Sequence, residues 1–112
     1  MYCLDSDIII EYFKGNQLIK FRFSKILKSE LYISPISLCE LYKGAFLSQN
    51  LERNIIVINK LLERVNLLDF DAYSCRLYGK IYSELKNIGK PTQDFDLITA
   101  AICIANNKIL IT

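Results

Sequence analysis

The sequence predicts an α/β fold in which a short, mostly parallel four-stranded sheet is flanked by helices. Three observations predict it. Four short apolar runs alternate with stretches of helical periodicity, the pattern of strands joined by helical crossovers. Hydrophobic residues make up 52% of the 112 residues, enough for the core of one small domain. With four glycines and two prolines, no linker-like stretch or repeat divides the chain.

Taken in order, Tyr2–Leu4 is an apolar run that stops at Asp5-Ser6-Asp7, and a helix continues over Ile8–Lys14 to Gly15, a natural stop. Residues 17–28 carry Ile19, Phe23, Ile26 and Leu27 at helical spacing. Leu31–Ser34 reads as a strand ended by Pro35, and Ile36–Leu47 as a helix apolar nearly all round. Leu51–Arg64 is a further helix, followed by a strand at Val65–Leu68. Asp71 can cap a long helix to Ile88, which Gly89 and Pro91 close. Asp94 and Asp96 open a last helix to Asn106, and Lys108–Ile111 is the fourth strand.

Composition removes several kinds of chemistry. There is no histidine, which excludes Ser-His-Asp, Cys-His and other imidazole-based mechanisms together. Cys3, Cys39, Cys75 and Cys103 are widely spaced among apolar residues, so each is expected to act as a small hydrophobe rather than a zinc ligand. The apolar runs are too short to span a bilayer, and the first residues do not resemble a signal peptide. The expectation is a cytoplasmic protein with no membrane association.

What remains is carboxylates, hydroxyls, lysines or a metal. In a parallel sheet covered on both faces, ligands bind beyond the carboxyl ends of the strands. Asp5, Glu40, Asp94 and Asp96 all fall at that edge. Such a cluster suits Mg²⁺ or Mn²⁺, hard cations that take oxygen ligands, activate water and neutralise a transferring phosphate. Each acid also has a structural reading. Asp5 and Asp94 suit helix caps, Asp96 suits the first turn of a helix, and Glu40 stands three residues from Lys43. If Asp5, Asp7, Glu40, Asp94 and Asp96 share one site, only seven of the twelve acids remain to face fourteen basic residues elsewhere. That surface suits a polyanion.

The motifs sharpen this. CLDSDIIIEYFKG (3–15), SPISLCELYKGA (34–45) and GKPTQDFDLITAAICIANNKILIT (89–112) resemble, in order, the three motifs of the PIN-domain family, VapC-type toxin ribonucleases. The resemblance implies a three-layer α/β sandwich, a metal-dependent endoribonuclease and an RNA substrate. It also implies a VapB-like antitoxin partner and a homodimer. It puts Asp5, Glu40 and Asp96 at the catalytic and metal-ligand positions, with Asp94 as a further candidate ligand. Ser6 takes the place of a site hydroxyl, and Thr112 that of a threonine supporting the acids. Asp7 stands where the family usually has Asn, which adds negative charge. The family pattern continues past that threonine with another Asn or Asp and an edge strand, so the expectation is one domain, 1–112, lacking a C-terminal edge segment.

From Lys14 to Lys28 there are five basic residues and no acid. Helical projection sets Phe21 apart from the apolar face, among Lys20, Lys25 and Lys28. This is either an ordinary amphipathic helix or a surface for RNA or a partner. Two other functional readings stay open. One is an inactive PIN-like module that only binds a partner. The other is a haloacid-dehalogenase-type phosphatase using Asp5 and Asp7, a family that wants Thr or Val where this chain has Ile9 and a larger, capped domain.

Overall fold

The computed structural model describes residues 1–90 and 93–112. Strands β1 (Tyr2–Leu4), β2 (Leu31–Ile33), β3 (Asn66–Leu67) and β4 (Ile109–Ile111) form one sheet in the order β3-β2-β1-β4. All three pairings are parallel, with Tyr2 opposite both Leu31 and Ile109. The helices among the described residues are α1 (Ser6–Phe13), α2 (Gln17–Ser24), α3 (Pro35–Leu47), α4 (Leu51–Leu62), α5 (Ala72–Asn87) and α6 (Asp94–Ala105). A single 3-10 turn, Lys28–Glu30, leads into β2.

Strand alternation sends successive side chains to opposite faces, and both faces are covered. Leu4, Leu31 and Ile33 join Ile9, Leu41, Ile58 and Leu61 from the helical layer of α1, α3 and α4. Cys3 points the other way, into a smaller core with Leu68, Ile102 and Cys103 beneath α6. The result is a three-layer sandwich, as the sequence predicts. Each fully buried aliphatic side chain contributes about 1.5–3 kcal/mol relative to exposure, which lets three-residue strands hold their places.

Local signals account for the helix starts. Asp5 accepts the Ser6 amide, Asn16 that of Ile19, Ser34 that of Ser37 and Asp71 that of Ser74. Pro35 occupies the first position of α3, where its missing N–H costs nothing. Gly15 and Gly89 follow α1 and α5 at φ +86° and +71°, a conformation that favours glycine. The part assigned to Pro91 in closing α5 lies outside the described residues.

Several boundaries differ from the sequence reading. Helix α1 begins at Ser6 rather than Ile8, because the Asp5 cap draws Ser6 and Asp7 into its first turn. Helix α2 stops at Ser24 instead of running to residue 28. There the Ser24 hydroxyl donates to the Phe21 carbonyl at 2.6 Å. The Lys25 amide, which would take that carbonyl in a continuing helix, bonds Arg22 instead. Leu27 therefore leaves the apolar face assigned to it and is 67% exposed. Cys3 and Cys103 are buried, but Cys39 and Cys75 are exposed, so only two of the four act as core hydrophobes. No helix among the described residues is long and apolar enough to cross a membrane.

Candidate functional site

Asp5 stands where β1 ends and α1 begins. Its backbone N–H donates to the Ile111 carbonyl of β4 at 2.9 Å, and its carboxylate accepts the Ser6 amide at 2.8 Å. Ser6, buried in the first turn of α1, donates its hydroxyl to Glu40 Oε1 at 3.2 Å. That bond ties the sheet edge to α3, where Glu40 lies in the second turn. Asp96 lies in the first turn of α6, and Asp7 in the first turn of α1.

Electrostatics shows which acids share a neighbourhood. Partial burial raises the Asp5 carboxyl above its ordinary value, the Ser6 amide opposes this, and the charges of Asp7 and Asp96 raise it further. Burial likewise raises Glu40, the Ser6 hydroxyl opposes it, and Asp5, Asp96 and Asp7 add to the rise. Asp7 and Asp96 thus lie within electrostatic range of Asp5, and all three of Glu40. None has a cationic partner: the one ion pair among the described residues is Lys14 with Glu11, at 3.7 Å. Glu40 in particular does not pair with Lys43.

Asp94 is turned elsewhere. Its Oδ1 accepts the Tyr78 hydroxyl at 2.7 Å, and it is not among the charges acting on Asp5 or Glu40. Hydrogen bonding to this carboxylate holds the Tyr78 phenol above its ordinary value. Tyr78 is a contact that sequence reasoning missed. Sixteen residues separate the pair, and nothing in the pattern of α5 distinguishes Tyr78 from Tyr73 or Tyr82. Thr112 follows β4, and since Leu4 pairs with Ile111, it stands opposite Asp5. Behind the site, contact with Cys103 and burial hold the Cys3 thiol far above its ordinary value, so it stays neutral.

The donor set fits a hard divalent cation: oxygen ligands only, with like charges that nothing neutralises. As they stand, no three acidic side chains among the described residues converge on a single ion position. Asp5, Glu40 and Asp96 are the residues that would hold one.

The basic segment lies along α2 and the turns that flank it. Phe21 is 61% exposed, with the Lys25 ammonium 5.1 Å from its ring centroid. Lys20 is exposed next to it in α2. Lys28 is exposed as well, but because α2 ends at Ser24 it lies in the following 3-10 turn and not on the helical face assigned to it. Phe21, Arg22 and Lys25 rim a groove of about 330 Å³ floored by Leu4, Phe23, Ile26 and Ile111.

Comparison with known proteins extends the picture. The PIN domain family matches residues 2–112. Over 114 residues the chain is 41% identical to "Ribonuclease VapC1" of Haemophilus influenzae (strain R2866), covering all of this chain and 85% of that protein. It is 33% identical over 112 residues to the "tRNA(fMet)-specific endonuclease VapC" of Shigella flexneri, covering 99% of this chain and 84% of that one. Among solved structures, VapBC-1 from nontypeable Haemophilus influenzae superposes with a TM-score of 0.87 at 40% identity, over 99% of this chain and 84% of that chain. VapBC2 from Rickettsia felis, bound to a DNA fragment from its promoter, gives 0.93 at 29% identity, over 99% and 85%.

Proposed function

The chain belongs to the PIN-domain family, and on that premise we propose that it is a Mg²⁺- or Mn²⁺-dependent endoribonuclease. In this reading it is the toxin of a VapBC-type toxin–antitoxin pair. The observation that carries the proposal is the group of uncompensated acids, Asp5, Glu40 and Asp96 with Asp7, beyond the carboxyl ends of parallel strands. Mutual repulsion is a cost that a protein sheds when a cation binds. A bound divalent ion would lower the pKa of a water ligand and offset charge on the transferring phosphate.

The chain's own residues have separate tasks. Asp5, Glu40 and Asp96 would hold the ion, and Ser6 keeps the Glu40 carboxylate turned toward Asp5 through its 3.2 Å bond. Asp7 adds negative charge at the same edge, and Thr112 beside Asp5 supports the strand end. Asp94 is held by Tyr78 and is assigned here to support rather than to the ion. The surface around Lys20, Phe21, Lys25 and Lys28 would meet RNA phosphate or the antitoxin. The solved VapBC complexes support a VapB-type partner. A homodimer acting in the cytoplasm completes the reading.

The test is cleavage of RNA with Mg²⁺ or Mn²⁺ by the wild-type chain and by Asp5→Asn. Asparagine is also a good helix cap, so the substitution removes charge while sparing α1. Activity should fall on the order of a hundredfold or more in the variant, and should vanish with EDTA. Cleavage that survives either treatment would sink the assignment. In the same assay Phe21→Ala should weaken RNA cleavage or antitoxin binding without lowering the melting temperature; no change in either rules out that surface.

A further inference from the structure

We propose that Tyr78 is a positioning residue for the acidic site: its hydroxyl holds Asp94, and through it steadies the first turn of α6, which presents Asp96. The inference rests on the metal-dependent nuclease reading above.

Three observations carry it. First, the 2.7 Å bond from Tyr78 to Asp94 is the one side-chain hydrogen bond between α5 and α6 among the described residues. Second, the first turn of α6 is not held by its own cap residue. Its cap residue, Gln93, makes no side-chain capping bond, whereas α1, α2, α3 and α5 are capped by Asp5, Asn16, Ser34 and Asp71. Helix α6 is packed from Leu97 onward, where Leu97, Thr99, Ala101, Ile102 and Cys103 are buried, whereas Asp94, Phe95 and Asp96 in its first turn are exposed. Third, Asp94 and Asp96 face different ways. At 3.6 residues per turn, two positions along a helix lie about 200° apart around its axis. Asp94 meets α5, while the charge of Asp96 is felt at Asp5 and Glu40.

Holding one side of the first turn therefore fixes where the other side points. The Tyr82 ring, 6.1 Å from that of Tyr78, braces the phenol that makes the contact. Tyr78 touches neither the reacting atoms nor the acids that would hold the ion, and it acts through Asp94 alone.

The experiment is Mn²⁺ binding to the full chain, read from the EPR signal of free Mn²⁺. It uses wild type, Tyr78→Phe, Asp94→Asn and the double variant, each with a thermal melt. Tyr78→Phe removes one oxygen and keeps the ring. We expect it to weaken Mn²⁺ binding on the order of tenfold with little change in melting. Asp94→Asn should weaken binding at least as much, and the double variant no further, because both substitutions break one link. Unchanged affinity in Tyr78→Phe, or additive losses in the double variant, overturns the inference while leaving the metal site standing. A fall in melting that accounts for the lost affinity overturns it as well. Failure of the wild-type chain to bind Mn²⁺ overturns both readings.

Discussion

At the scale of single residues, the acids are at once the proposed site and a cost to the fold. The carboxyls of Asp5 and Glu40 titrate above their ordinary values, so the folded chain binds protons more tightly than the unfolded one. Stability then falls as pH rises from the ordinary carboxylate range through the raised values, and the penalty persists to neutral pH. Without metal, Glu40→Gln should therefore be more stable than wild type at pH 7, by ~0.5 kcal/mol once solvent screening is allowed for. The amide oxygen can still accept from Ser6. The difference should close below the ordinary carboxylate range, and Mn²⁺ should stabilise wild type more than the variant. Urea melts across that range in EDTA check this, and a variant less stable at pH 7 would contradict it. The acidic residues themselves were legible in the sequence, since their types and their places after strands stand out once histidine is missing. The direction of Asp94 was not, because a carboxylate two residues from another can face either way.

At the scale of elements, caps were legible and ends were not. Ser34 followed by Pro35 marks the start of α3 because both preferences are local. The early stop of α2 depends on a Ser24 hydroxyl choosing its own backbone, a competition that hydrophobic periodicity cannot register. Ser34 matters to the site as well as the helix. It is fully buried, accepts the Ser37 amide at 3.1 Å and donates to the Ser37 hydroxyl at 3.2 Å. Ser34→Ala should cost about 2 kcal/mol, combining a lost cap with a buried hydroxyl left short of a partner. Cleavage should decline with it, since α3 carries Glu40. A urea midpoint that moves by the equivalent of less than ~0.5 kcal/mol would show that the cap is dispensable.

At the scale of the whole molecule, the alternation of strands and helices made a parallel sheet readable in advance. The neighbours of each strand were not readable, since short apolar runs of similar composition do not say which will pair. The structure makes β1 central, between β2 and β4, with the two cores on its opposite faces. That placement has a consequence in time. The pairing of Tyr2 with Ile109 and of Leu4 with Ile111 joins residues more than a hundred positions apart, so the loop that closes the sheet is nearly as long as the chain. Refolding after dilution from denaturant should then take milliseconds to seconds, and a microsecond phase carrying the whole signal would contradict this. During synthesis the wait is longer. Asp5 leaves the ribosome more than a hundred residues ahead of Ile111, whose carbonyl takes the Asp5 amide. On the nuclease reading proposed above, a site built this way is not assembled until β4 is free to dock, and the RNA that encodes the chain is spared until then.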